Sequence, residues 1–242
     1  ANRKQYDEAM AHYEAALSAV PDFVLVYANI GNMLADQGKR EDGIAVYAKG
    51  LAIKPDDAGL HNGIGYLYAN KGDDENALKH YNEALRIAPD YPLAHNNLGN
   101  LLNKQGKSDE ALAHYRRALE IDPRDRHAYL NIAALDVKRG NIDEAVQMYR
   151  KACENDPVNA DIPNDLANLL VRNVRFSEAI GYYETALRIN PNHIGAHCNL
   201  GNVLAALGRT QEAAEHLRKA LSLDATNKVA QDGLRKIEGN LK

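Results

Sequence analysis

Tryptophan is absent from this chain of 242 residues, and phenylalanine and cysteine occur only twice each. Cys153 and Cys198 make no disulfide framework; they fit a reducing compartment or indifference to redox state. No uncharged apolar run is long enough to cross a bilayer, and no apolar segment of signal-peptide type opens the sequence. The expectation is therefore a cytoplasmic protein without direct membrane insertion. No Asn-x-Ser/Thr sequon occurs. A net charge of −4 is too mild to call for nucleic acid. With four serines, no G-x-S-x-G and no P-loop, the sequence presents no nucleophile–base arrangement. Residues 63–68, GIGYLY, lack the third glycine of a dinucleotide fingerprint. The reading is of a chain that is not an enzyme and holds no cofactor. What remains is an ordinary folded composition, 45% hydrophobic and 26% charged, with little β character and much alanine.

What is present is a period. Prolines stand at Pro21, Pro55, Pro89, Pro123, Pro157 and Pro191, always 34 residues apart. Tyrosines share the period at Tyr13, Tyr47, Tyr81, Tyr115, Tyr149 and Tyr183, with Leu217 next. Small residues follow it at Ala16, Gly50, Ala84, Ala118, Ala152, Ala186 and Ala220. Pairs of an aliphatic and a small residue recur from Ile30-Gly31 to Leu200-Gly201. Each unit reads as a helical run, a glycine (Gly38, Gly72, Gly106, Gly140, Gly208), a second helical run and a proline. Glycine permits the left-handed turn that ends the first helix, and proline stops the second. Asp73, Ser108 and Ser177 are candidate caps for the second helix. One helix pair cannot bury its apolar stripe alone, so the pairs must stack.

In these phased residues the chain resembles the tetratricopeptide repeat family. The match covers six full repeats, 24–57, 58–91, 92–125, 126–159, 160–193 and 194–227. Residues 1–23 form a half repeat with helix B only, and 228–242 a C-terminal capping helix. The resemblance implies an all-α, right-handed superhelical solenoid of antiparallel helix pairs, with helix A lining its inner side. Repeat 5 is irregular, with Pro163 in helix A and Val174 in place of glycine.

Asparagine recurs where helix propensity disfavours it. Within each repeat, numbered from 1 at residues 24, 58, 92, 126, 160 and 194, core residues of helix A sit at positions 4, 7, 8 and 11. At about 100° per residue, positions 2, 5, 6, 9, 12 and 13 fall on the opposite face. Asparagine occupies position 6 at Asn29, Asn97, Asn131 and Asn199, and position 9 at Asn32, Asn100, Asn168 and Asn202. It occupies position 5 at Asn62, Asn96 and Asn164. All eleven amides are expected in one groove, and each carries donors and an acceptor. The pattern is similar to the asparagine ladder of the superhelical, non-catalytic region of O-GlcNAc transferases, which implies peptide binding. Gly63 and Asp165 interrupt it. The competing reading is a face that is merely solvated, although Glu, Lys or Gln would serve that purpose at less helical cost.

Basic residues gather at position 13, namely Lys104, Lys138 and Arg172, where they either meet a partner's acidic groups or complement the helix dipole. The carboxylate clamp of the family needs lysines at positions 2 and 5, and none stands there. His193, His197 and Cys198 superficially suggest metal ligands, but repeat phasing accounts for the histidines, so no metal is expected. At the ends, Ala9, Tyr13 and Ala16 lie on a helix B without its helix A, which points to a longer array or to a covering copy. Val229, Ala230, Leu234 and Ile237 form an apolar stripe, while Arg235 and Glu238 give the last helix a polar outer side.

The function expected is a protein-interaction module that binds an extended peptide or a helix of a partner. Two alternatives stand beside it: the non-catalytic targeting arm of a larger enzyme such as a glycosyltransferase, and a self-assembling scaffold that forms homo-oligomers through the open half repeat.

Overall fold

The computed structural model describes residues 3–239, and among them are fourteen helices and no strand. They are α1 (Arg3–Ala19), α2 (Val24–Asp36), α3 (Arg40–Ile53), α4 (Ala58–Lys71), α5 (Asp74–Ile87), α6 (Pro92–Lys104) and α7 (Ser108–Ile121), then α8 (Arg126–Arg139), α9 (Ile142–Asn155), α10 (Asp161–Arg172), α11 (Phe176–Ile189), α12 (Ile194–Ala206), α13 (Thr210–Leu223) and α14 (Lys228–Gly239). The fold is all-α, as the period requires. None of the described helices is long and apolar enough to cross a membrane.

The helices gather into two compact units, residues 1–128 and 129–242, divided within α8. In the first unit α2 packs with α3, α4 with α5 and α6 with α7, while α3 meets α4 and α5 meets α6. α1 rests on α2, where Met10, Tyr13 and Leu17 pack against Val26, Ile30 and Leu34. The face expected to be open is thus half-buried against α2. In the second unit α10 pairs with α11 and α12 with α13, and α14 lies across both α12 and α13. α14 buries Ala230, Gly233 and Ile237 and leaves Arg235 and Glu238 exposed. Val229, expected in its apolar stripe, is 51% exposed.

Short turns set the pairing. Gly38, Gly72, Gly106, Gly140 and Gly208 all hold left-handed φ between 75° and 81°. Behind each, a backbone N–H reaches back to the end of helix A, as Lys107 N–H does to the Leu102 carbonyl at 2.9 Å. Val174 occupies the same place in the fifth repeat with φ 62°. Asp73 caps α5 by accepting from the Asn76 backbone N–H. The caps expected of Ser108 and Ser177 do not form: both lie inside their helices, behind Lys107 and Arg175, whose side chains make no cap bond. Pro163 sits in the first turn of α10, where its missing N–H would have had no helical partner.

The position-24 tyrosine is the wedge between helices. Tyr81, Tyr115 and Tyr183 are at most 1% exposed. A Cβ added at Gly99 would lie 2.6 Å from the Tyr115 ring, so the ring fills the space that the small residue vacates. At Gly63 an added Cβ would come within 2.7 Å of the outer end of the Tyr47 ring from the preceding repeat.

Candidate peptide-binding face

The asparagines of helix A form three grades of exposure. Position 5 is buried: Asn62, Asn96 and Asn164 are 5%, 4% and 8% exposed. Position 6 is half-buried at Asn29, Asn97, Asn131 and Asn199. Position 9 is exposed at Asn32, Asn100 and Asn202 and half-buried at Asn168. The expectation that all eleven amides share one open groove thus fails at Asn62, Asn96 and Asn164. The reason is angular, since position 5 turns towards the following repeat. Asn62 Oδ1 accepts from Asn97 Nδ2 at 2.9 Å, and Asn164 Oδ1 accepts from Asn199 Nδ2 at 3.3 Å. Asn96 Nδ2 donates to Asp125, just ahead of α8. Asn62 and Asn164 thus tie neighbouring repeats together, while Asn96 ties helix A to the last residue of its own repeat.

Position 9 is tied within its own repeat. Tyr47, Tyr115 and Tyr183 donate their hydroxyls to Oδ1 of Asn32, Asn100 and Asn168 at 2.6, 2.8 and 2.7 Å. Burial pushes these phenols up to about 12. They remain protonated donors at any physiological pH. In the sixth repeat Leu217 replaces the tyrosine, so Asn202 has no hydroxyl to accept.

In the second unit these residues border open clefts. One of about 410 Å³ is lined by Asn168, Arg172, Phe176, Asn199 and Asn202, among others. A smaller one of about 230 Å³ lies against Tyr149, Asp165, Asn168 and Arg172. Burial raises the carboxyl of Asp165 above its usual value, against the lowering effect of a hydrogen bond from Asn164. A third cleft, of about 510 Å³, runs between α12 and α14 past Asn202, Asp232 and Lys236.

The three basic residues of position 13 part ways. Lys104 makes an ion pair with Asp74 at 2.8 Å, and one residue further along the preceding repeats Lys71 pairs with Glu41. Its ammonium is engaged within the chain. Lys138 and Arg172 are exposed and form no ion pair among the described residues.

The histidines form pairs that the sequence reading missed. His61 meets His80, His95 meets His114 and His197 meets His216, each with Nδ1 to Nδ1 at 2.9–3.0 Å. Nε2 of the helix A histidine lies 3.0–3.1 Å from the carbonyl of Pro55, Pro89 or Pro191. A carbonyl only accepts, so Nε2 carries the proton and Nδ1 accepts from the partner ring. His193 stands apart from the pairs. Its Nδ1 accepts from the Ala196 backbone N–H to cap α12, and its Nε2 contacts Asp161 at 2.9 Å. The constant spacings, 19 residues between histidines and 15 from Asn to Tyr, were the available signals.

Comparison with known proteins adds the following. Models described as tetratricopeptide repeat match residues 56–124, 93–157 and 164–228, and one described as TPR repeat matches 31–72. No curated protein matches the sequence. Among solved structures, one of PilF from Pseudomonas aeruginosa has TM-score 0.70 at 19% identity, covering 96% of this chain and 99% of that one. A chain of the APC/C hetero-tetramer Cut9–Hcn1 has TM-score 0.69 at 15% identity over 96% of this chain. This chain spans 46% of that chain's length. YrrB, described as a TPR protein with an unusual peptide-binding site, has TM-score 0.52 at 24% identity, covering 76% of this chain and 95% of that one. At such identities the likeness is one of fold.

Proposed function

This chain belongs to the tetratricopeptide repeat family, and from that premise we propose that it is an interaction module whose helix A face binds a polypeptide segment of a partner protein. The observation that carries the reading is the grouping of Asn168, Asn199, Asn202 and Arg172 around one open cleft in the second unit. Asn202 and Arg172 are exposed there and meet a ligand without first breaking the packing between repeats. The chain contributes a surface and no chemistry of its own. In the first unit Asn32, Asn97 and Asn100 offer the same kind of face. Lys104 is less suited than Lys138 or Arg172, because a ligand would have to displace Asp74.

An array of short unstructured peptides tests the reading. The wild-type chain is expected to bind a subset, and Asn202→Ala with Arg172→Ala to weaken that binding about tenfold, the worth of one or two polar contacts. Asn202 has no tyrosine partner and Arg172 no ion pair, so melting should stay unchanged. Failure of the wild-type chain to bind any peptide of the array would refute the proposal.

A further inference from the structure

Arg172 is the one cation among the residues that line the cleft of about 410 Å³, and no carboxylate lines it. The guanidinium is exposed and makes no ion pair or hydrogen bond among the described residues. Other arginines of the second unit are engaged within the chain: Arg150 reaches Glu178, Arg175 pairs with Asp143 and Glu178, and Arg209 pairs with Glu212. Asn168, beside Arg172, has given its Oδ1 to the Tyr183 hydroxyl and to Asn199 Nδ2, so its own Nδ2 is what it has left to offer. Tyr183, whose phenol burial pushes up to about 12, stays neutral with its proton already donated. Phe176 and Ala206 supply apolar wall. The cleft therefore presents positive charge and N–H donors against a partly apolar surface, with no anion of its own.

Arg172 also has open space on two sides. The cleft shares Arg172 and Asn168 with the smaller one against Tyr149, and Asn202 and Ala206 with the one between α12 and α14. A group held at Arg172 can thus sit in the middle of a chain that continues both ways. In the smaller cleft Asp165 supplies a carboxyl, which disfavours a second acid on that side and fixes the register at Arg172.

We infer that this cleft takes an acidic side chain from within a partner's segment, its carboxylate paired with the Arg172 guanidinium and an apolar neighbour seated on Phe176 and Ala206. This rests on the peptide-binding reading above and adds which sequence is bound. Guanidinium and carboxylate match through two parallel N–H···O bonds, stronger than contacts between neutral groups. A neutral amide in the ligand meets the same fork without the charge, and a lysine there is repelled. Selection therefore comes from one side chain of the ligand.

The test probes the full chain with an array of nine-residue peptides acetylated and amidated at their ends. Bound sequences are expected to carry an internal Asp or Glu beside an apolar residue. Changing that acid to its amide should weaken binding to the wild type about tenfold by fluorescence anisotropy, and binding to Arg172→Gln less than about twofold. Lys219→Gln removes the same charge from an exposed site on α13 outside the three clefts, and should keep the tenfold difference. Bound sequences without an acid, an equal loss in Arg172→Gln, or disappearance of the difference in Lys219→Gln would overturn the inference while leaving a peptide-binding face intact. Binding confined to peptides with a free C-terminal carboxylate would overturn it as well. A wild-type chain that binds neither kind of peptide would remove the peptide-binding reading too.

Discussion

Val174 is a β-branched residue held in a left-handed turn, and replacing it with glycine should make the protein more stable. Its φ is 62°, in a place where five other repeats use glycine at 75–81°. An L-residue there brings its Cβ against the following carbonyl oxygen, at a cost of about 1–2 kcal/mol. The side chain repays little by burial, because it is 72% exposed. Glycine relieves the strain but frees the unfolded chain, which takes back about 0.4–1 kcal/mol. The net gain expected for Val174→Gly is therefore about 0.5–1 kcal/mol, a rise of roughly 1–4 °C in a chain of this size. The reciprocal change, Gly106→Val, should lose a similar amount. A Cβ at Gly106 meets nothing within 4 Å, so that loss is backbone strain alone. Urea unfolding followed by circular dichroism measures both. Because repeat arrays need not unfold in one step, hydrogen exchange at Asn173–Arg175 gives a local reading as well. A neutral or destabilised Val174→Gly together with a neutral Gly106→Val would refute the strain argument.

Three further outcomes follow from the packing. Gly99→Ala puts a Cβ 2.6 Å from the Tyr115 ring, and thermal melts should show about 1–3 kcal/mol of destabilisation, since overpacking must shift a buried aromatic. Tyr183→Phe removes a 2.7 Å hydrogen bond and should cost about 1 kcal/mol in urea unfolding, leaving Asn168 Oδ1 held by Asn199 Nδ2 alone. Burial, then the facing histidine, hold His80, His114 and His216 below the usual imidazole value. The unfolded chain thus binds those protons more readily. Their stabilising contribution is complete above about pH 6.5 and declines as pH falls below it towards the folded values. Melting curves between pH 7.5 and 5 should fall for the wild type and flatten when the three are changed to phenylalanine, whereas Asp73, held low by its Asn76 hydrogen bonds, acts only at more acidic pH.

The period made the architecture legible because every helix ending is written locally. A left-handed glycine and a proline 34 residues from its counterpart are short-range facts, and the helices begin and end around them. The caps at Ser108 and Ser177 were misread because the turn needs only glycine geometry, and Lys107 and Arg175 fill the cap position without a side-chain bond. The site was legible in residue type but not in depth. A helical wheel puts positions 5, 6 and 9 on one side, yet the side chain at position 5 meets the next repeat, and a wheel drawn for one helix contains no neighbour. The pairing of Lys104 with Asp74 escaped for the same reason, since it joins residues 30 apart on different helices.

That depth also says why the residue is asparagine. The side chain at Asn97 must donate to the preceding repeat and still show a polar atom to solvent. Lysine offers donors only, and ionised glutamate acceptors only. Asn199 repeats the demand in the second unit, where it bridges Asn164 and Asn168. At Asn97 and Asn199 the amide thus serves the stacking of repeats before any ligand arrives, and its helical cost of about half a kcal/mol is offset by a hydrogen bond worth about 1 kcal/mol. Replacing Asn97 and Asn199 by alanine should therefore lower the melting temperature, which a purely ligand-facing amide would not do. Asn97 and Asn199 thus carry two duties on one side chain, whereas Asn32 and Asn100 at position 9 are exposed and bond only the tyrosine of their own repeat.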